Sequence, residues 1–175
     1  VLERCQIRGN HSLPSPIEYP LSALELVNSV IPLMLFFHET LDTEALKKAL
    51  QDCLDDIPLF QSRVRLDPKK DCVILEANNH HVELKVQSLA GHNVKDYKRN
   101  NPYIHSRSTY QVPIFVDRLK LENIFKGSEP LFRVVITQFE TGGTAIGLSL
   151  SHLIFDYGTV YSFLQAWGER YGARL

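Results

Sequence analysis

The chain has 175 residues, 44% of them hydrophobic and 22% charged, a globular composition far from that of a disordered segment. Nineteen Lys and Arg stand against 20 Asp and Glu, so no basic excess drives binding to a phosphate backbone, and the charge disfavours a nucleic-acid partner. The length suits one domain, residues 1–175, able to bury roughly two-thirds of its unfolded surface without disulfides or metal.

The first twenty residues carry Pro14, Pro16 and Pro20 and predict an extended, turn-rich lead-in. Nothing in them reads as a signal peptide. The sequence starts at Val1, which suggests a trimmed N-terminus or a piece of something longer. The longest apolar run, Val30 to Phe37, is eight residues and contains Pro32, far short of the roughly 20 that a spanning helix needs. Within it Leu33 to Phe37 predict a strand. From Thr43 to Leu54 the period becomes helical, with Leu46, Leu50, Cys53 and Leu54 on one side and Lys47, Lys48, Gln51 and Asp52 on the other. Asp42 is placed as its N-cap, and Pro58 closes the segment.

Cys72–Glu76 and Val82–Val86 predict a hairpin turning at Asn78-Asn79, where Asn tolerates positive φ. Residues 91–113 are polar, with Pro102 and Pro113, and read as a long connection holding at most one short helix. Leu131–Phe139 and Ala145–Leu150 predict a second hairpin around Gly142-Gly143. In its second strand Ile146, Leu148 and Leu150 point one way, and Gly147 and Ser149 the other. A helix follows over Thr159–Arg170, with Val160, Phe163, Leu164, Trp167 and Tyr171 on one face. Strands and helices in separate runs predict an α+β fold: a two-layer sandwich with a mixed, mostly antiparallel sheet and the helices on one face. Cys5, Cys53 and Cys72 are odd in number and lack C-x-x-C spacing, which argues against a zinc site or a disulfide framework and for a reducing, cytoplasmic setting.

Three pairs share the spacing H-x-x-x-D: His38 with Asp42, His92 with Asp96, and His152 with Asp156. Composition alone predicts about 0.4 such pairs, so spacing carries little. His92 reads as a solvated loop residue, and Asp42 already has a capping role. His152 sits after a Gly-containing strand, beside Leu153, Ile154 and Phe155. Such apolar neighbours suit either a packed, hydrogen-bonded histidine or a neutral imidazole base. Periodicity by itself favours the first.

The flanking residues carry a resemblance. Pro130 to Phe139, Gly142-Gly143, Ile146-Gly147, Ser151-His152, Asp156, Phe163 and Trp167 resemble the N-terminal half of the BAHD acyltransferases, whose signature is H-x-x-x-D-G followed by Ser, Phe and Trp at fixed offsets. Leu21-Ser22-Ala23-Leu24-Glu25 is similar to that family's early element, Phe36-Phe37 to its next strand, and Ile57-Pro58-Leu59-Phe60-Gln61-Ser62-Arg63 to its Pro-Leu-Ala-Gly-Arg segment. Tyr157 replaces the expected Gly, Gly158 comes one place late, and Thr159 stands where Ser is usual.

The resemblance implies a chloramphenicol-acetyltransferase-like fold and an acyltransferase that moves an acyl group from acyl-CoA, a co-substrate, to a small-molecule hydroxyl or amine. His152 would be the general base and Asp156 a structural support paired with an arginine. Ser151, Tyr157, Gly158 and Thr159 would line the site. No metal and no tightly bound cofactor are implied. The partner would be a C-terminal half bearing an Asp-Phe-Gly-Trp-Gly element and most CoA contacts, and this sequence lacks it. Two alternatives stand: a condensation-type domain using carrier-protein thioesters, disfavoured by Ser151 where such domains have a first His, and a catalytically silent binding domain, which Tyr157 would favour.

Overall fold

The computed structural model describes residues 2–21, 29–69, 71–97 and 112–175. The element resembling Leu21 to Glu25, apart from Leu21, and most of the long polar connection lie outside these residues. Twelve elements follow in chain order: β1 (Glu3–Ile7), β2 (Ile17–Pro20), β3 (Val30–Phe37), α1 (Thr43–Asp56), β4 (Ser62–Asp67), β5 (Cys72–Ala77), β6 (Val82–Leu89), α2 (Val112–Phe115), α3 (Leu121–Phe125), β7 (Phe132–Phe139), β8 (Thr144–Ser151) and α4 (Tyr157–Gly172). They form a five-stranded sheet, β1-β6-β7-β8-β3, and a three-stranded sheet, β2-β5-β4. Every pairing is antiparallel except β6 with β7. The mixed, mostly antiparallel sheet is as the sequence predicts.

The hairpin predicted at Asn78-Asn79 does not form. β5 pairs with β2 and β4 in the small sheet, whereas β6 pairs with β1 and β7 in the large one. The turn chemistry is still real, since Asn79 adopts φ 53. It hands the chain from one sheet to the other, and its side chain accepts from Leu13 N at 2.7 Å. The second predicted hairpin does form, with Gln138 opposite Thr144 and Gly142 and Gly143 at φ 91 and 101. β1, β2 and β4 were not legible as strands. β1 corrects a second detail, because its Glu3 pairs with Lys47 and leaves that α1 side chain buried instead of wet.

Alternation of the strands builds the main core. Leu84 and Val86 of β6, Val134 and Ile136 of β7, and Ile146, Leu148 and Leu150 of β8 face α1 and α4. Phe60, Phe132, Phe155 and Phe163 meet there with ring centroids 4.9–6.1 Å apart, in edge-to-face and offset contacts that suit their quadrupoles. Trp167 closes the cluster and donates its indole N–H to Leu46 O at 3.0 Å, satisfying a buried donor. Both long helices therefore lie on one face, as the sequence predicts.

The parallel step from β6 to β7 requires a crossover, whose described part runs over the opposite face. Phe115 and Val116 pack there against Phe139 and Ala145. Leu119 N donates to Ser149 Oγ at 3.0 Å, and Gln87 reaches Ile114 O at 2.7 Å. Small residues on this face of β8 are what admit a second layer of backbone: a Cβ on Gly147 would lie 1.7 Å from Phe115 O.

β3 ends the large sheet. His152 N donates to Ser29 O at 2.9 Å, in the register that sets Val30 against Ser151. That parity turns the backbone groups of Ile31, Leu33, Leu35 and Phe37 toward β8, and those of Val30, Pro32, Met34 and Phe36 outward. Pro32 thus sits where its missing N–H costs the sheet nothing.

Candidate functional site

β8 ends at Ser151, and the chain crosses from there to α4 in five residues. Backbone bonds fix this crossing. Ser151 N donates to Leu131 O at 2.8 Å, His152 N to Ser29 O, and Phe155 N back to Ser151 O at 3.2 Å. Phe155 is fully buried in the aromatic cluster, so an apolar anchor holds the loop while its two polar ends stay at the surface. Asp156 caps α4, accepting from Thr159 N at 2.7 Å.

His152 is exposed, which corrects the packed-histidine reading favoured by periodicity. Of its apolar neighbours Phe155 is buried and Leu153 and Ile154 half-buried, and the imidazole is left at a groove of about 400 Å³. Ile31, Leu33 and Leu35 of β3 form one wall, and Val160, Tyr161 and Leu164 of α4 form the other. Asp156 and Tyr157 border it beside His152. Ser151 is buried with its Oγ 3.4 Å from Leu153 N, so it holds the loop from beneath. Gly158 and Thr159 form the first turn of α4, where a Cβ on Gly158 would make only ordinary contact with Asp156 at 3.6 Å. The Tyr157 ring is 88% exposed and borders the groove without filling it.

Sequence reasoning missed the two walls. The signal for one was the unalternating apolar run of β3, which marks a strand apolar on both faces; for Tyr161 there was none.

The three H-x-x-x-D pairs turn out to share one device. Asp42 accepts from Ala45 N at 2.9 Å, Asp96 from Asn93 N at 2.8 Å, and Asp156 from Thr159 N. Each aspartate satisfies a backbone donor at a turn or helix start, so the aspartates do not distinguish the pairs. The histidines do. His92 Nδ1 is engaged by the Tyr97 hydroxyl at 2.9 Å. His38 borders a cavity of mixed lining, with Asn93, Lys95 and Thr141 beside Val94 and Gly142. Only His152 of the three borders an apolar groove.

The backbone N–H of Thr159 holds the Asp156 carboxyl below its ordinary value, helped by the Thr159 side chain and by nearby His152. The arginine expected beside Asp156 is not among its ion pairs within the described residues. A lowered folded-state pKa means that Asp156 contributes its full stability above the ordinary carboxylate value of about 3.9 and loses it as pH falls through the lowered one. Asp156→Asn, which caps comparably without a charge, should therefore match the wild type in melting temperature near neutrality. It should also lose less stability on acidification below about pH 4. Parallel acid titrations of the two proteins would count against this cap.

Cys53 is buried in α1, with its thiol pushed up to about 11 by burial. None of Cys5, Cys53 and Cys72 borders the groove. No helix among the described residues is long and apolar enough to cross a membrane.

Residues 21–173 match the Transferase family. Vinorine synthase of Rauvolfia serpentina is 32% identical over 162 residues, covering 85% of this chain and 36% of the relative. Stemmadenine O-acetyltransferase of Catharanthus roseus is 28% identical over 156 residues, covering 81% of this chain and 34% of the relative. The crystal structure of vinorine synthase superposes with a TM-score of 0.73 at 22% identity, over 97% of this chain and 42% of that one. The starter condensation domain of rhizomide synthetase shares the fold at 13% identity, with a TM-score of 0.61 over 90% of this chain and 39% of that one. This chain thus spans little more than a third of the curated relatives it matches.

Proposed function

The chain belongs to the Transferase family, the BAHD acyltransferases, and from that premise we propose that it forms, over residues 1–175, the N-terminal domain of an acyltransferase in which His152 is the general base. The donor is an acyl-CoA thioester, and the acceptor is a small molecule bearing a hydroxyl or amine. The observation that carries this reading is the exposed His152 imidazole at the mouth of an apolar groove, on a loop pinned at both ends.

In the proposed reaction the His152 imidazole takes the proton of the acceptor O–H or N–H as the acceptor atom attacks the thioester carbonyl. The tetrahedral oxyanion collapses, the C–S bond breaks, and the leaving CoA sulfur receives the proton from the imidazolium. No acyl-enzyme is required, in keeping with the absence of a cysteine from the groove wall. The apolar walls would exclude water from the thioester. Asp156 acts through the loop: by capping α4 it fixes where the helix begins, and with it the position of His152. The exposed, outward Tyr157 ring favours an accessible site over a silent binding domain.

A groove open along one side, in a chain of this share of its relatives' length, calls for a second half to complete the donor site. The chain alone is therefore expected to release thiol from acetyl-CoA at the blank rate, whatever alcohol or amine is supplied. Protein of full family length should exceed the blank with at least one acceptor from a panel of primary alcohols and amines. Turnover by the chain alone would refute the need for a second half. A folded full-length protein silent with the whole panel would refute the acyltransferase reading.

A further inference from the structure

β4 is the end strand of the small sheet, and along its open edge lies a cavity of about 440 Å³ that shares no lining residue with the groove at His152. Arg63, Arg65, Glu76, His80, Lys126 and Gly127 border it. Gly127, at φ 72, brings this rim together, because a Cβ there would lie 2.6 Å from Val64 O. The Lys126 side chain is thereby set beside β4.

Arg63 is only 8% exposed. Its guanidinium donates to Ser62 O at 3.0 Å and to His81 O at 2.8 Å, both backbone carbonyls. The acid opposite it in the ladder, Glu76, is bound instead to Arg65 at 3.0 Å, and Arg65 also holds Glu18 at 2.6 Å. Among the described residues, Arg63, Arg8 and Lys126 have no carboxylate within ion-pair reach. Burial pushes Arg63 down to about 10, which leaves it charged at neutral pH. Burial, and then the Arg63 charge, hold His80 and His81 below the usual imidazole value, and Arg8 adds to the same field.

A buried cation bonded only to carbonyl oxygens is costly; the charge of Glu83 offsets part of that cost while Arg133 and Arg8 oppose it, and an anion drawn against Arg63 recovers more. A guanidinium carries five N–H groups, more than two carbonyls can occupy, and Arg63 lines the cavity. We propose that this cavity is an anion site that takes a phosphate-type dianion between the Arg63 guanidinium and the Lys126 ammonium. A fork of N–H donors with a second cation close by suits a tetrahedral dianion better than a single carboxylate.

Calorimetric titration of the chain with inorganic phosphate at low ionic strength, with chloride as control, tests the site. Saturable phosphate binding without chloride binding is expected. Lys126→Gln, an exposed position that disturbs no described side-chain bond, should weaken binding by about fivefold, the scale of one exposed charge pair. Arg63→Gln should abolish it, with circular dichroism and melting confirming that the fold persists. AMP serves as a second probe: binding tighter than that of phosphate assigns the source to a phosphomonoester, and equal binding assigns it to the free ion. Absence of saturable binding to the wild type would overturn the proposal. So would equal binding by wild type and Lys126→Gln. These readouts involve no acyl transfer, so the proposal stands or falls apart from the role of His152.

Discussion

His152→Ala, in protein of full family length, is expected to turn over about two to four powers of ten more slowly than the wild type, with its melting temperature nearly unchanged. The separation of the two effects follows from geometry. The imidazole is exposed and supports no core contact, while the bond that ties residue 152 to Ser29 is made by the backbone N–H, which alanine keeps. His38→Ala and His92→Ala should retain most activity, because His38 borders a separate cavity beside Lys95 and His92 is engaged by the Tyr97 hydroxyl. Steady-state thiol release and a melting curve on each variant make the check. An active His152→Ala protein, or one that fails only by unfolding, would remove His152 from the reaction.

Gly147→Ala should be the most damaging single methyl on the large sheet, at about 3 kcal/mol or a fall of about 6–12 °C in melting temperature. The added carbon would lie 1.7 Å from Phe115 O and 2.7 Å from Phe115 C. Both are backbone atoms, so no rotamer change relieves the clash and the crossover must lift. Lifting it breaks Leu119 N to Ser149 Oγ and Gln87 to Ile114 O, and uncovers Phe115, which is fully buried. Gly158→Ala is the control: its added carbon meets nothing nearer than 3.6 Å, and alanine is the better helix former by about 1 kcal/mol. A Gly147→Ala protein that melts with the wild type would mean that the crossover does not lie against β8.

Local chemistry made the second hairpin and both long helices legible. Gly142-Gly143 supplies positive φ between a β-branched run and an alternating one, Asp42 caps a helical stripe, and Phe163 and Trp167 mark a buried face. The alternation in β8 even announced that Gly147 and Ser149 share a face, without saying what would lie on it. Pairing partners were not legible. Cys72–Ala77 and Val82–Leu89 read as a hairpin because adjacent strands around Asn-Asn usually pair, yet four other strands claim their edges: β2 and β4 flank the first, and β1 and β7 the second. Three of those contacts are distant in sequence and leave no mark on either segment; the fourth, β4 with β5, joins neighbours in the chain, with Asp67 opposite Cys72. The site followed the same division. His152 and Asp156 stood out through their flanking residues, whereas the groove beside them is made where β3 and α4, more than a hundred residues apart, come side by side.

Pro32 has a bearing on what the outer margin of β3, unpaired among the described residues, can accept. Its ring removes one outward donor midway along the strand, leaving the N–H of Met34 and Phe36 on one side and that of Val30 on the other. An incoming strand can hydrogen-bond without interruption only along the half that ends at Phe37. The half that begins at Val30, level with Ser151 and one step from His152, is a poor template. Whatever extends this sheet is thus registered away from the imidazole, and the same gap denies the eight apolar residues of β3 the unbroken ladder on which identical chains stack into fibrils.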